Sequence, residues 1–202
     1  MGIKKLGRSD LGWVSSLLEK AFTTDPMFVY LFGEQMSNQT KMQWVHGSCY
    51  KAARLYGECY ATEDNSGVLL MFPPKEVKLT FVKMAKGGML TLPFKFGFKT
   101  LSNFMTLMDH VDQEHSKVAP FDHYYIWILG VLPEEQRKGV GKELLQYALE
   151  RVDQLCLPCY LETQNSVNLG FYQQFGFDVV SDTQLPKGNL QNWGLLRIAS
   201  AL

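Results

Sequence analysis

The run Ile126-Trp-Ile-Leu-Gly-Val-Leu-Pro-Glu-Glu-Gln-Arg-Lys-Gly-Val-Gly-Lys-Glu-Leu-Leu145 constrains this chain more than any other. An apolar strand enters a short basic turn with two glycines, and an amphipathic helix starts at once. A turn of this kind offers backbone N–H groups, and its glycines remove side chains that would block close approach. The helix N-terminus adds positive potential. Gln136, Arg137, Lys138 and Lys142 add polar or positive reach. The combination suits a pyrophosphate.

Two common phosphate loops do not fit. A P-loop aligned on Gly141-Lys142 would have Gln136 in place of its first glycine and Glu143 in place of its hydroxyl residue. The dinucleotide fingerprint would need a third glycine where Leu144 stands. The pattern that does fit is Gln/Arg-x-x-Gly-x-Gly/Ala, written here Gln136-Arg-Lys-Gly139-Val-Gly141. It resembles the acetyl-CoA loop of the GNAT superfamily of N-acetyltransferases. Downstream, Tyr160-Leu-Glu-Thr163 reads as a strand end and Asn165 to Asn168 as a polar break. Leu169 to Phe177 reads as a short helix ending in glycine, and Val179-Val180 opens another strand. GNAT enzymes resemble this order too. Within the superfamily the run Leu-Glu-Thr, Asn-x-x-Phe-Tyr, Gly-Phe, Pro186-x-Gly188 and Trp193 is similar to puromycin N-acetyltransferase and its relatives. The likeness covers Tyr124 to Arg197 well and the N-terminal half only loosely.

The resemblance implies an α/β (α+β) fold with a mixed, mostly antiparallel central sheet flanked by helices. It places a splayed parallel strand pair, 121–131 and 159–163, at the cofactor cleft. The implied cofactor is acetyl-CoA. Backbone groups of Leu129 and Val131 would meet its peptide-like arm, and residues 136–142, Val140 included, its pyrophosphate. Asn168 would bind the arm or cap a helix. Tyr172 matches the family's tyrosine and is the candidate acid, since a phenol stays protonated at neutral pH; it also answers to a core aromatic beside Phe171 and Phe175.

The base has several readings. Glu162 is the ionisable residue of 159–163, placed to take an amine proton or to hold a cationic acceptor, or else a solvent-facing strand residue. His123 is a second candidate, though its place near the strand start favours a structural role. An amine bound neutral would need no dedicated base. The acceptor wall is expected from Asp25, Met27, Phe28, Tyr30 and Phe32 with part of 80–100, where aromatics beside a carboxylate suit a bulky amine. The same residues also suit a core.

At 202 residues a single domain is the simplest expectation, with 1–117 as its acceptor side and 118–202 as its cofactor side. Lys plus Arg equals Asp plus Glu, 20 against 20, which argues against nucleic acid as a partner. No run reaches signal-peptide or membrane-span length, so a cytoplasmic protein without a membrane partner is expected, as monomer or homodimer. Cys49, Cys59, Cys156 and Cys159 lack zinc spacing and read as buried free thiols. His110 and His115, five apart, read as surface or packing residues, and no metal is expected.

Further elements follow from pattern. Leu11 to Phe22 has helical spacing and Asp25-Pro26 stops it. Met27 to Phe32 is an apolar patch between breakers. Helices are expected at 40–56, 101–115 and 139–155, and strands at 58–62, 67–72, 177–181 and 193–198. Residues 80–100 give no clear pattern. The expected function is transfer of acetyl from acetyl-CoA to a primary amine of a small molecule. A peptide or protein N-acetyltransferase and a non-catalytic acyl-CoA sensor are the alternatives.

Overall fold

The computed structural model describes residues 2–186 and 188–199. Met1 and residue 202, both expected domain ends, lie outside the described residues, as does Lys187 within the Pro186-x-Gly188 motif. In chain order the elements are β1 (Ile3–Lys5), α1 (Leu11–Ala21), α2 (Pro26–Phe32), α3 (Gln39–Tyr56), β2 (Glu58–Thr62), β3 (Gly67–Phe72), α4 (Phe81–Gly87), α5 (Leu92–Phe96), α6 (Phe98–Val118), β4 (Tyr124–Val131), α7 (Val140–Gln154), β5 (Cys159–Thr163), α8 (Leu169–Gln173), β6 (Asp178–Gln184) and β7 (Gln191–Arg197). The strands form one sheet in the order β1-β2-β3-β4-β5-β7-β6. Every neighbouring pair is antiparallel except β4 with β5, which is parallel. The expected mixed sheet with one parallel pair is the sheet observed.

Strand β3 is buried along its whole length, and its period of two feeds both faces of the sheet. Val68, Leu70 and Phe72 join the cluster built on α1 and α3, while Leu69 and Met71 join the cluster built on α7. Helix α7 buries Val140, Leu144, Leu145, Ala148, Leu149 and Val152, one apolar stripe at helical spacing. On β5 the same alternation puts Cys159 and Leu161 toward α7 and Tyr160 toward the opposite face. Glu162 shares Tyr160's parity, so it faces the α6 side.

The parallel pairing is short. Tyr124, Tyr125 and Ile126 pair with Cys159, Tyr160 and Leu161, and no further pair follows. At that point β4 carries a bulge: Leu70 of β3 faces Ile128 and Met71 faces Ile126, so Trp127 has no partner residue. A bulge bends its strand and increases the local twist. Here it coincides with the point where β4 leaves β5, and the two strands splay toward the glycine turn.

Several expectations are corrected. The patch 27–32 is a helix: Pro26 sits at its first turn and the Asp25 carboxylate accepts from Met27 N at 3.0 Å and Phe28 N at 3.3 Å. Asp25-Pro26 therefore starts a helix as well as ending one, the arrangement that Pro at the first helical position favours. Strand β4 begins at Tyr124, three residues after the expected start. Cys156 is exposed in the loop after α7, while Cys49, Cys59 and Cys159 are buried. No helix among the described residues is long and apolar enough to cross a membrane.

Candidate active site

The turn after β4 is built for close approach. Pro133–Glu135 makes one helical turn, Arg137 then adopts a positive φ of 63° and Gly139 one of 97°, and α7 starts at Val140. A Cβ on Gly139 would meet no atom within 4 Å, so the space over it is open. Gly139, the N-cap of α7, has no side chain with which to cap the helix's first N–H groups. Arg137 and Lys142 are exposed, and Lys138 pairs with Glu135 at 3.2 Å on the surface. Val140 turns its side chain into the core against Gly67, so only its backbone can serve a ligand. A Cβ on Gly141 would stand 3.6 Å from Val131 and 3.7 Å from Phe171, in ordinary contact. The Gln136 amide donates to the Val131 carbonyl at 3.2 Å and braces the strand end. Open space at a helix N-terminus and basic side chains fit a pyrophosphate, and the splayed edge of β4 fits a peptide-like arm.

Where β4 and β5 part, a cavity of about 120 Å³ opens on the α6 face. Phe28, Leu31 and Phe32 of α2, Met84, Met89, Phe104, Leu107 and Met108 supply apolar walls. Tyr125, Trp127 and Leu129 of β4 form the floor, and Glu162, Thr163, Asn168 and Tyr172 complete the lining. Asp25 also reaches it. Of the residues expected as an acceptor wall, Asp25, Met27, Phe28 and Phe32 line this space. Tyr30 does not; its ring packs where a Cβ on Gly188 would stand. Pattern alone could not rank Tyr30 against its neighbour Leu31, because the helical phase of 26–32 decides it.

Glu162 is buried rather than solvent-facing. Its side chain is 4% exposed, and burial pushes its carboxyl from 4.5 up to about 7. Tyr125 Oη donates to Glu162 Oε2 at 2.6 Å and pulls the other way. The Tyr160 hydroxyl stands in electrostatic reach and also lowers it, while Asp112 raises it. A carboxyl held near neutrality beside an apolar cavity exchanges protons readily at pH 7. Tyr172 is buried between Phe171 and Phe177, at ring separations of 5.2 and 6.0 Å. Burial, with the charge of Asp25 second, pushes its phenol upward, so it carries its proton at neutral pH. The Asn168 amide donates to Thr163 Oγ1 at 3.2 Å and does not cap α8. Burial also raises Asp25, against the two backbone N–H groups it accepts from.

His123 is not at the cavity. It is buried at the foot of β4, hydrogen-bonded to Phe121 O at 2.6 Å and to His115 Nε2 at 2.7 Å. His115 stacks on Tyr160 at 4.2 Å, and His110 meets Thr183 at 3.0 Å. Among the described residues no three His, Cys, Asp or Glu side chains gather as a metal site. Among the cavity residues absent from the sequence reading are Tyr125, Trp127, Thr163 and the α6 side chains. Tyr125 carried a signal in lying within the apolar run of β4, but its meeting with Glu162 arises only when β4 pairs with β5.

Known proteins resemble the chain at two levels. Residues 106–177 match the model of the Acetyltransferase (GNAT) family. An uncharacterised N-acetyltransferase of Schizosaccharomyces pombe is 26% identical over 195 residues, 94% of this chain and 79% of that one. The peptidyl-lysine N-acetyltransferase YiaC of Escherichia coli is 41% identical over 74 residues, 34% of this chain and 49% of that one. A solved Corynebacterium glutamicum protein, described as histone acetyltransferase HPA2 and related acetyltransferase, superposes with a TM-score of 0.70 at 16% identity, covering 99% of this chain and 97% of that one. Arylalkylamine N-acetyltransferase 2 of Aedes aegypti superposes with a TM-score of 0.61 at 11% identity, covering 98% and 99%. The fold is the GNAT fold, and residues 106–177 match the model of the GNAT acetyltransferase family.

Proposed function

We propose that this chain is an acetyl-CoA-dependent N-acetyltransferase that acetylates a primary amine of a small molecule by direct transfer, with residues 1–117 supplying the acceptor side and 118–202 the cofactor side of one domain. The observation that carries the reading is the convergence of a carboxyl near neutrality, Glu162, and a protonated phenol, Tyr172, on one apolar cavity at the end of the parallel strand pair. When bound, acetyl-CoA supplies the thioester whose acetyl group moves. Glu162 takes a proton from the ammonium of the acceptor, which leaves the nitrogen lone pair free to attack. Tyr172 Oη gives its proton to the departing sulfur. Splitting the two tasks between a group near neutrality and one far above it is how a site runs base and acid chemistry at one pH.

The size and lining of the cavity support a small acceptor. Two carboxyls, Asp25 and Glu162, stand among Phe, Met, Leu and Trp side chains, which suits an ammonium attached to an apolar or aromatic body. The likeness of Leu161–Thr163, Asn168, Phe171-Tyr172 and Gly176-Phe177 to puromycin N-acetyltransferase points the same way. The partial likeness to a peptidyl-lysine enzyme favours a second reading, a lysine side chain of a peptide. The two are separated by measuring CoA thiol release with arylalkylamines, aminonucleosides, polyamines and lysine peptides. A kcat/KM that rises with the apolar bulk of a small amine is expected. A preference for lysine peptides over every small amine would overturn the small-molecule reading.

A further inference from the structure

The stretch 75–99 carries six lysines against one acid, Glu76, a net charge of +5 in a chain whose formal net charge is zero. It folds as α4 and α5, the turn Met89–Thr91 between them, and the start of α6. Its inner side is filled. Gly87 lies so close to α3 that a Cβ there would meet Ser48 O at 2.6 Å, and Met84, Met89, Leu92 and Phe96 are buried. Phe96 packs on Phe32 and Trp44 at ring separations of 4.8 and 6.0 Å. Leu79, Met84 and Met89 reach the cavity beside Glu162. The outer side is apolar too. Phe81, Val82, Leu90, Phe94 and Phe98 are all more than half exposed, Phe94 by 84% and Phe98 by 74%. Of the four exposed phenylalanines among the described residues, three stand here. Large apolar side chains gathered in this way mark an interaction surface.

Charge and side-chain type say what covers it. Lys83 pairs with Glu76 at 2.7 Å, which leaves Lys75, Lys78, Lys86, Lys95 and Lys99. All five are exposed, and among the described residues none forms an ion pair. No acid follows Glu76 until Asp109, so nothing within the segment answers their charge. Phenylalanine and leucine interleaved with lysine is the composition of a segment that lies in a lipid interface. Apolar tips enter the acyl boundary while ammonium groups stay among anionic headgroups. The ammonium of Lys86 stands 5.8 Å from the Tyr56 ring and that of Lys95 stands 5.2 Å from the Trp44 ring, which draws both back toward α3. An ammonium set back in this way lies at headgroup depth when the phenylalanine tips enter a bilayer. A protein partner fits less well, because lysine is depleted at protein interfaces and their anchors are Trp, Tyr and Arg.

We infer that the outer side of 75–99 is a docking surface for an anionic membrane, with Phe81, Leu90, Phe94 and Phe98 entering the interface and the exposed lysines meeting acidic headgroups. Peripheral contact of this kind needs no spanning helix. It revises the expectation of a protein without a membrane partner, and it does not depend on the acyl-transfer reading. Because Leu79, Met84 and Met89 of the same segment line the cavity, docking brings a wall of that cavity to the bilayer.

The test is co-sedimentation of the full chain with sucrose-loaded vesicles, made of phosphatidylcholine alone or of phosphatidylcholine and phosphatidylserine in equal parts. The mixed vesicles should pellet the protein, phosphatidylcholine alone should not, and added salt should release it. K86Q/K95Q/K99Q should weaken the partition by roughly fivefold for each lysine removed. F94S/F98S should weaken it by on the order of tenfold. Both sets change exposed residues, and circular dichroism melting checks that the variants fold. L155S, which removes an exposed leucine after α7, should bind like the intact chain. No pelleting above the vesicle-free control, or pelleting unchanged by either set of substitutions, would overturn the membrane assignment. So would equal pelleting by both kinds of vesicle. Failure to pellet, with self-association in sedimentation velocity that F94S/F98S abolishes, would give the surface to a second copy of the chain instead.

Discussion

Replacing Glu162 by Gln tests the electrostatics of the site apart from its chemistry. Glutamine keeps the shape of the side chain and an oxygen for the Tyr125 hydroxyl, and removes the ionisation. The folded protein holds the Glu162 proton up to about pH 7, against 4.5 for the ordinary carboxyl. At about 1.4 kcal/mol per tenfold, this displacement amounts to about 3 kcal/mol. Its sign follows from proton counting. Between pH 4.5 and 7 the unfolded chain has released this proton and the folded chain has not, so stability falls as pH rises. The contribution is fully present below 4.5 and lost above about 7. Urea unfolding at pH 5.5 and 8.5 captures about 2 kcal/mol of it. The intact protein should therefore lose about 2 kcal/mol more than E162Q across that interval. Titration of the buried histidines is common to both and cancels in the difference. Stabilities that run parallel from pH 5.5 to 8.5 would refute the burial argument for Glu162. The same carboxyl should give acetyl transfer a rate that rises with pH and levels off above about 7.

Tyr172→Phe should lower turnover on the order of 100-fold and leave acetyl-CoA affinity, read by calorimetry, unchanged; unchanged turnover would remove the phenol from the proton transfer. Gly139→Val should weaken acetyl-CoA binding, because a β-branched side chain at a φ of 97° is strained and enters the open space over α7; full affinity would show that the pyrophosphate sits elsewhere. Asp25→Ala should cost about 1 kcal/mol in urea unfolding through loss of the α2 cap. Asp25→Asn should keep most of that stability while raising KM for a cationic acceptor, so equal KM values would confine Asp25 to capping.

The elements of the C-terminal half were legible because their signals are local. Glycines at a strand–helix junction, and the alternation of Cys159 to Thr163, each point to a conformation without knowledge of partners. The N-terminal half was harder for physical reasons. Residues 81–87 and 92–96 are short helices interrupted by Gly88, Pro93 and Gly97, and Phe94 and Phe98 lie exposed, so no apolar period survives. Strand β1 is three residues long with two lysines and is held by pairing to β2. Asp25-Pro26 did carry a start signal, an N-cap followed by proline, alongside the stop it gives α1. The burial of Glu162 and the meeting of His115 with His123 depend on α6 covering one face of the sheet. That is a tertiary fact with no trace in either segment alone.

A crystal structure of the protein with acetyl-CoA tests the central claim most directly. The account predicts the arm along the splayed edge of β4, the pyrophosphate over residues 136–141, and the thioester in the cavity between Glu162 and Tyr172. A cofactor bound elsewhere, or a thioester directed away from both side chains, would contradict it.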